Sequence, residues 1–112
     1  MLQAICVLTA CADREQATAI AEALVSDRLA ACVNVLPGVE SIYRWQGQIE
    51  RASEVMLLIK TTPERFAEVR DRIQSLHSYD TPEIIALPIV EGLERYLAWL
   101  QDSVGRESAG TS

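Results

Sequence analysis

The stretch that most constrains this 112-residue chain is residues 29–60, LAACVNVLPGVESIYRWQGQIERASEVMLLIK. Two apolar arms rich in Val, Ile and Leu flank Trp45-Gln46-Gly47, a segment able to reverse the chain, so the stretch reads as one antiparallel hairpin. Each arm of about 12 to 15 residues spans ~40 to 50 Å at ~3.3 Å per residue, far beyond the usual strand of about five or six. A domain of this size cannot cover such arms, so the distal half projects as a ribbon. An exposed ribbon with unpaired edges takes a partner chain or aggregates. The expectation is an oligomer.

Period-two alternation runs from Leu29 to Leu36 and is interrupted at Pro37-Gly38. Proline removes a ladder donor and glycine relaxes the backbone, which predicts a bulge or bend there rather than the end of the strand. In the second arm, residues 48–53 are polar and 54–60 apolar, so the tip is the exposed half.

The remaining elements follow from the pattern on either side. Residues 2–9 form a nearly unbroken apolar run, the signature of a central strand. Asp13 stands three residues before Gln16 as a cap, and Ala17, Ile20, Ala21, Leu24 and Val25 follow at helical spacing. Thr62 caps a second helix with Pro63 in its first turn and Phe66, Val69, Ile73 and Leu76 as its stripe, ending near His77. Tyr79-Asp80-Thr81-Pro82 is a turn, and residues 83–89 form an apolar strand in which Pro88 is tolerated at an edge. A third helix begins near Gly92 with Leu93, Tyr96, Leu97 and Leu100 inward, and the chain is expected to fray from Gln101. The order β-α-β-β-α-β plus a C-terminal helix predicts an α+β, ferredoxin-like split βαβ fold, with both main helices on one face. One domain over residues 1–103 and a flexible tail over 104–112 complete the expectation.

Charge narrows the partners. Sixteen acidic against ten basic side chains give a net charge of -6, which argues against nucleic acid and against an anionic membrane surface and makes a cation the natural charged partner. The first ten residues lack a basic n-region, and their apolar run is too short for a spanning helix, so the cytoplasm is the expected compartment. Cys6, Cys11 and Cys32 form no CxxC and no disulfide framework; they read as reduced, buried or half-buried thiols, with Cys11 the most accessible.

Several motifs then fall in one order: LAACVN, PG, S-x-Y-x-W-x-G-x-I-E, IKT, H-x-Y-x-x-PEI and YL-x-W. Together they cover residues 2–100 and resemble the CutA family, the divalent-cation tolerance proteins. The resemblance implies a cytoplasmic homotrimer in which each hairpin extends a neighbour's sheet, linked to copper and other divalent ions. The fold is also similar to the trimeric PII-type nitrogen regulators, which makes a signalling or scaffold trimer, taking a small molecule or protein in its inter-subunit cleft without metal, the alternative.

His77 is the only histidine and the candidate metal ligand, with Cys11 as a possible companion for a weakly bound Cu(II). The resemblance implies a Cys at the end of the first strand and paired histidines in metal-binding members; here Thr9 and Leu76 stand at the Cys and first-His positions, which leaves His77 alone. The competing reading of His77 is an imidazole closing the helix C-terminus or seated in an interface. Tyr43, Trp45, Glu50, Glu54, Tyr79 and Glu83 form a second constellation, expected to meet in a cleft when one chain's hairpin reaches the 77–83 turn of another, or else to anchor the interface. Lys60 is expected to pair with Glu54 or Glu83. Glu50 and Glu54 lie ~13 Å apart along a strand, too far to share one reacting atom. With no phosphate loop, nucleophile elbow or HExxH present, the chain reads as non-enzymatic.

Overall fold

The structure, a computed structural model, describes residues 3–105. Its element order is β1 (Ala4–Cys11), α1 (Arg14–Ser26), β2 (Cys32–Trp45), β3 (Gln48–Thr61), a 3-10 turn (Pro63–Arg65), α2 (Phe66–Leu76), β4 (Ile85–Ile89) and α3 (Glu94–Val104). The strands form one antiparallel sheet in the order β2-β3-β1-β4.

The hairpin is as long as its sequence demands. Each arm has 14 residues, and the molecule measures 54 × 28 × 21 Å, the long axis reflecting the ribbon. Its reversal is a two-residue turn in which Gln46 (φ 49°) and Gly47 (φ 78°) are both left-handed, the geometry whose twist matches paired strands. The register shifts between Leu36 and Val39, with Gly38 at φ 78°, so Pro37-Gly38 is a bulge and β2 continues through it to Trp45.

Register also explains why the hairpin projects. β1 pairs with β3 only as far as Cys11 opposite Val55, so β3 residues 48–54 have no β1 partner. Beyond that point the two arms pair only with each other.

The principal core lies between the sheet and the two main helices. Val7 and Cys11 of β1 and Leu57 and Ile59 of β3 meet Ala17, Ile20 and Leu24 of α1 and Val69 and Ile73 of α2. Asp13 caps α1 as its spacing predicts, its Oδ1 accepting from Gln16 N at 2.8 Å. A smaller cluster forms where α3 seats Leu100 and Val104 against Ala4 and Ala31.

Several boundaries differ from expectation. β2 starts at Cys32 because residues 29 and 30 are taken up in the exit from α1: Arg28 adopts φ 60° and the N–H groups of Leu29 and Ala30 both bond to Leu24 O, and Ala31 N is the first to cross to β3, donating to Lys60 O at 2.8 Å. Thr62 caps through its backbone only, with Arg65 N donating to its carbonyl at 3.0 Å, and Pro63 opens a 3-10 turn instead of α2. Leu93 stands before α3 and is exposed, while α3 runs to a buried Val104, held because Arg65 Nε donates to Val104 O at 2.8 Å. The helix therefore persists beyond Gln101, where fraying is expected; the tail residues 106–112 lie outside the described residues.

Candidate functional site

The loop that follows α2 folds against the hairpin where β1 has ended. His77 closes α2, its N–H donating to Ile73 O at 2.8 Å, and its side chain is locked by two backbone groups. Tyr79 N donates to His77 Nδ1 at 3.1 Å, which makes Nδ1 the acceptor and Nε2 the protonated nitrogen, donating to Ala10 O at 2.8 Å. The Tyr79 ring packs on the imidazole at 4.8 Å between centroids, and Tyr79 Oη donates to Glu54 Oε2 at 2.8 Å. A continuous relay thus runs from the β1 backbone through His77 and Tyr79 to a carboxylate on β3.

The space beside this relay is a cleft of about 940 Å³. Tyr43, Trp45, Glu50, Glu54, Tyr79 and Glu83 all line it, so the structure gathers the whole aromatic and carboxylate constellation. It does so within a single chain, whereas the sequence reading places hairpin and turn on different chains. Ser41, Ile42, Asp80 and Thr81 complete much of the lining; Asp80 and Thr81 sit in the predicted turn beside Tyr79, a proximity that marks them in retrospect. Burial and then the bond to Glu54 push the Tyr79 phenol up to about 12, so it remains a donor throughout the neutral range.

Lys60 does not belong to this cleft. It lies six residues, ~20 Å, down β3 from Glu54. There its ammonium donates to Asn34 Oδ1 and to Cys32 Sγ at 3.4 Å, on the sheet face opposite the two main helices. Cys32 Sγ also meets Tyr96 Oη at 3.4 Å, a bond that, ahead of burial, pushes the Tyr96 phenol up to about 12.

Cys11 departs from expectation in exposure. β1 extends through it, and its side chain points with Val7 into the core, fully buried. Desolvation, followed by the nearby Asp13 and Glu54 carboxylates, pushes its thiol up to about 11, which keeps it protonated and a poor ligand at neutral pH. Cys6 and Cys32 are the partly exposed thiols. Among the described residues no three His, Cys, Asp or Glu side chains converge as metal ligands. The pair His77 and Cys11 therefore does not fit a metal site as folded: both imidazole nitrogens are engaged and the thiol faces the core.

The class defined by this architecture is a small antiparallel α+β domain with a projecting ribbon and a cleft at the ribbon's root. Residues 5–103 match the family model described as CutA1 divalent ion tolerance protein. A divalent-cation tolerance protein CutA of Thermus thermophilus is 50% identical over 99 residues, covering 88% of this chain and 96% of the relative. A chloroplastic CutA protein of Arabidopsis thaliana is 43% identical over 91 residues, and there the match spans 81% of this chain and only 50% of the relative. Among solved structures, CutA1 from Oryza sativa superposes with a TM-score of 0.90 at 39% identity, covering 96% of this chain and 97% of that one. The chain belongs to the CutA family of divalent ion tolerance proteins. No helix among the described residues is long and apolar enough to cross a membrane.

Proposed function

We propose that this chain is a cytoplasmic, non-enzymatic homotrimer of ferredoxin-like subunits that serves divalent-cation tolerance, with the hairpin cleft as its ligand site. The order β2-β3-β1-β4 with β1-α1-β2 and β3-α2-β4 crossovers supports the ferredoxin-like reading. Assembly rests on one observation, the uncovered apolar surface. Strand pairing places Leu8, Met56, Leu58, Leu36, Ile85 and Leu87 on the sheet face away from α1 and α2, with Leu87 49% exposed. On the ribbon, Trp45 and Ile49 are exposed at 61% and 69%. A monomer leaves these patches in water; a trimer buries them and supplies pairing for the open edges.

Divalent ions, Cu(II) among them, bind weakly and from solution at the exposed and half-buried carboxylates of the cleft, keeping most of their hydration. His77 stays out, because metallation at Nδ1 displaces Tyr79 N and metallation at Nε2 displaces the bond to Ala10 O. Calorimetric titration of Cu(II) into reduced protein tests this. Weak binding is expected that survives His77→Ala and is reduced by Glu50→Gln with Glu54→Gln. Saturable binding at one site per chain, lost with His77→Ala, overturns it.

The second reading, a PII-like trimer holding a small molecule in the cleft without physiological use of metal, is favoured by the lack of converging ligands among the described residues.

A further inference from the structure

We propose that the root of the ribbon is a braced joint that fixes the angle at which the hairpin leaves the domain, and that this angle sets how many chains close into a ring. On the trimeric reading above, from which this follows, the joint is what limits assembly to three.

The joint lies at one cross-section of the sheet. β2 pairs regularly as far as Leu36 opposite Met56 and resumes at Val39 opposite Glu54, so Pro37 and Gly38 together face the single residue Val55. Val55 is also the last β3 residue that β1 reaches, opposite Cys11. The sheet therefore loses β1 at the same residue where β2 carries its bulge. A bulge bends its strand and increases the local twist, so the direction of the ribbon is decided there. Gly38 takes the left-handed conformation that this bend requires, at φ 78°.

The brace acts on the other arm, one residue further out. Glu54 Oε2 accepts from Tyr79 Oη at 2.8 Å, Tyr79 N donates to His77 Nδ1 at 3.1 Å, and His77 Nε2 donates to Ala10 O at 2.8 Å. The loop after α2 thus reaches β3 from the side that β1 has vacated, and it is itself tied to the end of β1. Bulge and brace hold opposite arms of the hairpin at the Val39–Glu54 pair.

Leverage makes this angle decisive. From Val39 to Trp45 the distal part of β2 has 7 residues, or ~23 Å at ~3.3 Å per residue. A swing of ~10° at the root moves its tip ~4 Å, close to the ~4.8 Å that separates paired strands. A ribbon laid on a neighbour's sheet is a head-to-tail contact, which closes a ring only when the rotation per contact divides a full turn, about 120° for three chains. Any other angle gives a different ring or an open polymer. A ribbon held at its angle before docking also avoids the ordering cost on association.

Light scattering over a dilution series, with exchange of isotope-labelled subunits read by native mass spectrometry, tests the joint in the full chain. Deletion of Pro37 removes the extra residue while every pair from Val39 to Trp45 is kept. It changes the angle and not the contact surface, and its mass is expected to depart from three chains. Tyr79→Phe keeps three chains but exchanges subunits about tenfold faster, because its ribbon is ordered only on docking. Ile73→Val, a one-methylene truncation in the core under α2, exchanges within about twofold of the native chain. Thermal melts establish that each variant folds; if the Pro37 deletion does not, Tyr79→Phe against Ile73→Val decides.

Three chain masses, constant on dilution, from the folded Pro37 deletion overturn the joint while the trimer stands. Equal exchange rates in Tyr79→Phe and Ile73→Val do the same. A native chain that does not run at three chain masses removes the trimeric reading itself.

Discussion

Tyr79 Oη donates a 2.8 Å hydrogen bond to Glu54 Oε2, which ties the loop after α2 to the hairpin at the first β3 position beyond the reach of β1. Beyond this point the two ribbon strands pair in the sheet only with each other.

Tyr79→Phe keeps the ring and removes the hydroxyl, and is expected to lower stability by about 1 kcal/mol in denaturant unfolding. The alkaline pH dependence carries a second signature. The Tyr79 phenol is raised above its ordinary value of 10.0 to about 12, so its contribution is intact below pH 10 and is lost as pH rises through about 12. The variant therefore shows a shallower loss of stability above pH 10, with Tyr96, Cys11 and Cys6, all raised, contributing to the residual slope. An unchanged slope contradicts the bond.

Thr9 is the one described side chain whose buried polar atom lacks a partner: its Oγ1 lies in the core with no hydrogen bond. Replacing the hydroxyl by a methyl of nearly the same shape removes a desolvation cost without opening a cavity. Thr9→Val is expected to stabilise by about 1 kcal/mol, read as a higher denaturant midpoint at unchanged slope. A lower midpoint means that the hydroxyl is satisfied in solution.

Gly38 holds the bulge at φ 78°, and an added Cβ there meets nothing within 4 Å. Only backbone strain then separates glycine from alanine, so Gly38→Ala is expected to cost about 1 to 2 kcal/mol with the fold retained. Equal stability shows that the bulge relaxes out of the left-handed region.

The three thiols separate by burial. Cys6 and Cys32 are partly exposed on the sheet face that assembly covers, so iodoacetamide followed by peptide mapping is expected to modify them in separated folded chains before Cys11, which is fully buried and has its thiol raised to about 11. Labelling of Cys11 at a rate matching Cys32 in those chains contradicts its place in the core.

Much of this was legible in the sequence because local chemistry and tertiary structure agree. Pro37-Gly38 announces its bulge, Gln46-Gly47 its turn and Asp13 its cap through residue preferences that act within a few positions. The cleft was legible as a set of residues but not as a place. Tyr79 and Glu54 meet within one chain because β1 ends at Cys11 and leaves room beside β3, and where a strand stops is a matter of tertiary pairing. Cys11 differs from its expected exposure for the same reason: once β1 extends past Thr9, alternation turns the thiol inward with Val7. Lys60 shares a sheet face with Glu54, as their even spacing implies, yet register sets it opposite Cys32 and too far along the strand for an ion pair. His77 closes the helix as the competing reading held, and its hydrogen bonds to Ala10 and Tyr79 depend on the loop's path, which residue type alone does not encode.

Assembly is tested most directly by the solution mass of the native chain, measured by light scattering over a dilution series. The exposed ribbon and the open apolar sheet face call for an oligomer, and the proposed trimer predicts three chain masses, constant on dilution through the micromolar range. A single chain mass at every concentration contradicts the trimer and leaves the ribbon and that face in water.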